Sequence, residues 1–406
     1  MKIGLTTTSF RTDKGAERFV VNLSKGLLQA DQEVHLIGRL EHKDTYEAFC
    51  DELSGLQRSR FHFHRIRSFK AHRYPNLLTF AWGVHKKLKT LSLDVTQGFG
   101  KSLGLDIFRP PTATYKTLLQ QANPTIKSHS AANLELDIER RILFEGAKAV
   151  VVNSRLGEEK LRLAYPKLRI PIHLIYNMID LGKWRAPRND DEKRQIRKQL
   201  GIPEDVCVFL HVSTNFRLKG ALESMQALET IKKSHPGEYR RIYMVLVGDD
   251  SVKAPQAIAD RVSIFKATNR ISPFFLAADV LLHPTHFDPF ANVVLEAFSS
   301  GLPVITSKNN GAWEVIDHET HGTILETVDV AEISRTLLHY LDNQMIARMK
   351  RAVLARAQQF SIESIVQDYI QLYEQVSKQK KLSSKPDRHP ELRPLKPLLT
   401  GSSALV

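Results

Sequence analysis

The chain has 406 residues, 42% hydrophobic and 25% charged, enough for two domains with cores of their own and unlike a disordered or fibrous protein. Its two cysteines, Cys50 and Cys207, stand far apart, which excludes a disulfide scaffold and fits a reducing compartment. The net charge of +14 is uneven, with 28 basic against 18 acidic residues in 1–180, so a basic face and an anionic partner are expected on the N-terminal half.

The opening M-K-I-G-L-T-T-T reads as a strand, Ile3–Thr7, with no apolar leader before it. No later run approaches the ~20 apolar residues that span a bilayer, and a cytoplasmic location is expected. Apolar spacing at Phe19, Val20, Leu23, Leu27 and Leu28 predicts a helix over Ala16–Ala30. Val34–Ile37, Ala149–Val152 and Ile172–Ile175 read as strands. The pattern then restarts with strand Val208–Val212, helix Ala221–Lys233 and strands Tyr243–Val247, Ile264–Phe265, Val280–Leu282 and Pro303–Ile305. Strands alternating with helices predict parallel sheets covered on both faces. Two such series predict an α/β protein of two Rossmann-like domains, with the link near residues 175–184 and the ligand site in the cleft between them. The expected limits are 1–178 and 179–350, followed by a last helix of about 346–380, whose part from 351 to 380 leaves the second domain. A Pro-rich basic tail, 381–406, is expected to be disordered.

The most informative stretch is H-P-T-H-F-D-P-F-A-N-V-V-L-E-A-F-S-S-G-L-P-V-I-T, His283 to Thr306. Asp288 and Glu296 lie eight positions apart, close to two helical turns, so they are expected to share a face. Gly301 ends that helix and a buried strand follows. The first amides of the helix, near Phe290, Ala291, Asn292 and Val293, lack intrahelical partners and favour an anion. Acids for sugar hydroxyls beside a place for phosphate point to a nucleotide-sugar. Upstream, N-F-R-L-K-G puts Arg217 and Lys219 between a strand and a helix, where two cations neutralise a departing diphosphate. T-D-K-G-A-E-R, residues 12–18, turns from the first strand into the first helix; Gly15 permits close backbone approach and Lys14 adds a charge.

These motifs resemble the retaining glycosyltransferases of family 4, the two-Rossmann-domain GT-B type, and look most like the lipopolysaccharide-core glucosyltransferases. G-L-D-I-F-R at 104–109 and E-R-R-I-L-F at 139–144 add to that look. The family pattern E-x7-E has Asp288 for its first Glu and Ala291 for its usual Gly. Its Arg five residues before K-G is Thr214 here, with Arg217 as a variant. The resemblance implies transfer of a sugar, most simply a hexose from a UDP-sugar, with retention, to a glycan or lipid-linked acceptor of cell-surface polysaccharide. Glu296 would hold ribose hydroxyls, Asp288 donor-sugar hydroxyls, and Arg217, Lys219 and the helix start the diphosphate. Ala267 falls where relatives hold the base, and the C-terminal helix is expected to return to the first domain. No metal-ligand cluster is seen in the sequence and the family needs no metal or cofactor.

The family's His near the reacting centre is missing from P-P-T-A-T-Y-K, residues 110–116. Asp106 and His129 are the acceptor-side candidates. Nine Lys and Arg and no acid lie between Leu53 and Leu93, beside Leu78, Phe80, Trp82 and Leu88. This predicts a basic amphipathic helix on an anionic membrane, hence a peripheral position at the inner face. Nucleic-acid binding lacks an aromatic-interleaved basic motif. The alternative is a non-catalytic protein that binds nucleotide-sugar or anionic polymer through a degenerate site.

Overall fold

The computed structural model describes residues 1–11, 15–41, 43–68, 72–110, 113–121, 130–248 and 252–383. Lys14, His129 and the tail beyond residue 383 lie outside them.

The strands of the first sheet are β1 (Lys2–Ser9), β2 (Glu33–Arg39), β3 (Phe61–Arg65), β4 (Val95–Gly98), β5 (Ile107–Phe108), β6 (Ala149–Val152) and β7 (Ile172–Leu174). Their order is β3-β2-β1-β4-β5-β6-β7, and every pairing is parallel. The second sheet holds β8 (Cys207–Ser213), β9 (Ile242–Gly248), β10 (Val262–Lys266), β11 (Val280–His283), β12 (Val304–Ser307) and β13 (Gly322–Leu325). Its order is β10-β9-β8-β11-β12-β13, again parallel. Near-continuous apolar runs such as β6, and β8 as far as Val212, are buried because helices cover both faces. This is the expected pair of Rossmann-like domains. In each, the sheet order reverses beside its first strand, opening a crevice at the carboxyl ends.

One apolar cluster joins the two domains. It runs from Ile3, Leu5 and Phe19 through Met178, Ile179 and Trp184 of the link to Val294, Leu295 and Val304. The helix expected at about 346–380 is broken. Asn343–Gln358 stays with the second domain, burying Met345, Met349 and Val353. Ile362–Ser383 is a new helix whose N-terminus Ser361 caps, its Oγ accepting from the Ser364 amide at 3.1 Å. That last helix crosses to the first domain. It packs so closely on the helix Gly15–Gln29 that a Cβ on Gly26 would lie 2.5 Å from Val366 Cγ2. Tyr373 donates to Gln97 Oε1 at 2.7 Å. The chain thus crosses between domains twice, at the link and at residues 359–361. The crossings are bonded to each other, Ile179 N–H donating to Phe360 O at 2.8 Å beside a bridge between Ile179 and Ser361.

The basic helix is present as Arg73–Leu88, but its apolar side faces inward. Phe80, Val84 and Leu88 join Ile37 and Ile66 in a small core. Of the four apolar residues expected to meet a bilayer, Phe80 and Leu88 are buried, Leu78 is half-buried, and only Trp82 is exposed, at 62%. No described helix is long and apolar enough to cross a membrane.

Candidate functional site

Between the sheets lies a cleft of ≈ 840 Å³, within the range of small-molecule sites. The second domain contributes the carboxyl ends of its strands: Val212 and Ser213 of β8, Val247 and Gly248 of β9, Ala267 after β10, and His283 of β11. The first domain contributes Gly15, Arg18, Phe19, Arg109, Asn153 and Asn177.

The helix behind the cleft is Asn292–Ser299, so Asp288 precedes it rather than sharing its face with Glu296. A turn shapes the approach: Asp288 Oδ1 accepts from the Phe290 amide at 3.0 Å. Buried Asn310 accepts from the amides of Ala291 at 3.0 Å and Ala312 at 3.1 Å. These bonds take the amides of Phe290 and Ala291. The leading helical amides of Asn292 and Val293, which line the cleft, are those placed to meet an anion.

Lys219 reaches this turn, its Nζ donating to Asp288 Oδ2 at 2.7 Å and Phe287 O at 2.8 Å. The next residue, Gly220, has φ +74°, and a Cβ there would fall 2.0 Å from Pro284 O. Only glycine fits where the Lys219 loop meets the strand exit. Glu296 is 3% exposed and accepts from Arg18 Nη2 across the cleft at 2.7 Å. Burial pushes its carboxyl above the ordinary range, while Arg18 and Lys183 oppose that rise. A polar relay crosses beside it. Arg109 donates to Asn177 Oδ1, and Asn177 Nδ2 donates to Asn292 Oδ1 at 2.6 Å. The Arg109 guanidinium lies 3.9 Å from the centre of the Phe19 ring. On the floor, His283 stacks on His211, ring centres 5.6 Å apart. His211 Nδ1 meets Leu282 O at 2.9 Å. Burial pulls His211 down to about 4 and His283 well below its ordinary value.

Residues 14–183 match the family described as Glycosyltransferase Family 4, and residues 192–359 match Glycosyl transferases group 1. The chain belongs to these glycosyltransferases. Lipopolysaccharide glucosyltransferase WaaG of Escherichia coli is 24% identical over 68% of this chain and 75% of its own length. A D-inositol 3-phosphate glycosyltransferase of Acidothermus cellulolyticus is 27% identical over 45% of this chain and only 44% of its own length. Among solved structures, WaaG superposes with a TM-score of 0.73 at 19% identity, covering 91% of this chain and 99% of that one. Anabaena HepE, in complex with UDP and glucose, gives 0.67 at 20% identity, covering 92% and 100%. The fold is therefore GT-B.

In this glycosyltransferase, Asp288, Glu296, Lys219, Gly15, Ala267 and the turn Phe290–Val293 all line the one cleft. Arg217, expected beside Lys219, is exposed and does not line it. Asp106 lies at the sheet instead. Its Oδ2 accepts from Thr96 N at 3.0 Å and from Lys380 Nζ at 3.0 Å, so it anchors the crossing helix. Arg18, Arg109, Asn177, Lys183, His283 and Asn310 were not expected. Arg18 and Arg109 close the G-A-E-R and G-L-D-I-F-R motifs, and that was the signal available. Asn177 and Asn310 carry none, since their roles come from long-range contacts.

Proposed function

We propose that this chain is a retaining glycosyltransferase that moves a hexose from a UDP-sugar to a glycan or lipid-linked acceptor in lipopolysaccharide-core or related cell-surface polysaccharide synthesis. The observation that carries this reading is the convergence of two carboxylates, a lysine and the leading helix amides on one interdomain cleft. In this reading the diphosphate meets the amides of Asn292 and Val293 and the Lys219 ammonium. Fixed donors aimed at developing charge favour departure of the nucleotide. Asp288 holds hydroxyls of the donor sugar, and Glu296 accepts from the ribose in place of Arg18. As the resemblance implies, the acceptor oxygen bonds to the anomeric carbon as its bond to the diphosphate breaks, and a phosphate oxygen takes the acceptor proton.

The test is turnover. The protein is incubated with UDP-, GDP- and ADP-sugars and membrane extract, and released nucleotide is measured. Release with a UDP-sugar is expected, with a loss of at least ~100-fold in Glu296→Ala. Donor binding without release across the panel would instead identify a non-catalytic binding protein. A peripheral position on the anionic inner face of the cytoplasmic membrane is part of the proposal. Exposed Arg58, Arg65, Arg67, Lys86 and Lys89 support it, with the Lys86 ammonium 5.4 Å from the Trp82 ring centre.

A further inference from the structure

Away from the cleft, β2 and β3 pair in parallel with His35 opposite His62 and Ile37 opposite His64. Side chains alternate along a strand, so Glu33, His35, His62 and His64 project from one face of the sheet. None of the four lines the cleft. His35 Nε2 lies 3.0 Å from Glu33 Oε1, and His62 Nε2 lies 3.5 Å from that same oxygen. One ligand atom from each of Glu33, His35 and His62 falls within 4.8 Å of the others. Nitrogen and oxygen ligands each ~2.0–2.2 Å from a tetrahedral cation stand roughly 3.3 Å apart, so small side-chain rotations close the set.

The second ring nitrogen of His35 is also provided for. His35 Nδ1 faces His64 Nε2 at 3.0 Å, and the two rings are parallel within 4°. A metal-bound imidazole donates its remaining N–H to an acceptor that fixes its tautomer and plane, and His64 Nε2 is placed to be that acceptor. Lys2 Nζ, 3.4 Å from Glu33, is the charge a cation would displace. Its side chain is 55% exposed and can swing into solvent.

We propose that Glu33, His35 and His62 bind one divalent transition cation of the Zn²⁺ class, with His64 orienting His35 and water completing the shell. Two imidazoles and a carboxylate suit such ions better than Ca²⁺ or Mg²⁺, which take oxygen ligands. The ion would tie the edge strand β3 to β2.

Full-length protein is stripped with chelator, dialysed, and titrated calorimetrically with Zn²⁺ alone. About one equivalent is expected to bind, and Co²⁺ in its place is expected to give visible ligand-field absorption. His62→Ala and Glu33→Gln, both partly exposed positions, are expected to weaken uptake at least ~10-fold and remove that absorption, with circular dichroism unchanged. Absence of stoichiometric uptake by the parent protein would overturn the proposal. Uptake unchanged in a His62→Ala/Glu33→Gln double variant would overturn it equally, by placing the metal elsewhere.

Discussion

Arg18 is what makes a buried Glu296 tolerable. Removing one partner of a buried pair leaves an uncompensated charge, at a cost of several kcal/mol when burial is complete. Here Arg18 is 26% exposed and Lys183 stands near, so Arg18→Ala is expected to destabilise by about 2 kcal/mol at pH 8. The loss should shrink as pH falls, because burial raises this carboxyl and so favours its uptake of a proton; equilibrium unfolding at pH 8 and pH 5 measures it. The stacked histidines behave oppositely. His211 titrates at about 4 in the folded protein, against the ordinary histidine value of 6.5 that the unfolded chain keeps. Between those values the unfolded chain binds more protons, so stability is lost as pH falls below 6.5. At pH 5 the loss from His211 is ~2 kcal/mol, with His283 adding in the same direction. A His211→Asn variant that loses as much stability as the parent between pH 8 and pH 5 would refute that assignment. At this scale the sequence displayed residues that act through local motifs, such as Lys219 and Glu296. It hid Asn177 and Asn310, whose hydrogen bonds span 115 and 19 positions.

Among the elements, the helix Arg155–Ala164 is capped from two domains. Ser154 Oγ accepts from the Gly157 amide at 2.9 Å, while Glu314 of the second domain accepts from the amides of Arg155 at 2.9 Å and Leu156 at 3.0 Å. A carboxylate on leading amides also meets the positive end of the helix dipole. Glu314→Ala is therefore expected to cost ~1 kcal/mol, read as a lower denaturation midpoint, and to loosen the domain contact. A midpoint equal to that of the parent would contradict it. The long apolar strands of both sheets were legible because burial on both faces leaves continuous runs. The strands β3, β4, β5 and β13 were not. F-H-F-H-R in β3 alternates over only five residues, V-T-Q-G in β4 and the two-residue β5 are too short for a period to show, and their placement comes from pairing with β2, with β1, and with β4 and β6. Parallel register also brought Glu33 and His35 beside His62, a grouping that spacing within a single strand does not display. The turn before Asn292 escaped for a related reason. Helical spacing carried Asp288 onto the Glu296 face, whereas Asn310 bonds pull its segment out of the helix.

For the whole molecule, charge is distributed by domain, and the basic excess accompanies the first sheet. With Phe80 and Leu88 committed to the core, attachment to an anionic bilayer would rest on exposed cations and Trp82 rather than on an inserted helix face. Flotation with phosphatidylserine-containing vesicles is expected at low salt and should be lost above ~0.5 M, where the screening length is only a few ångströms. Flotation that persists at high salt would mean apolar insertion instead. The two interdomain crossings, stitched together at Ile179, Phe360 and Ser361, set how the halves can move. A body held by two adjacent, mutually bonded strands cannot slide or separate freely; it retains chiefly rotation about the seam. The cleft then works like a hinged jaw. Under the proposed function, donor entry and nucleotide exit become an angular coordinate, with the Arg18–Glu296 contact one of the bonds that opening would break.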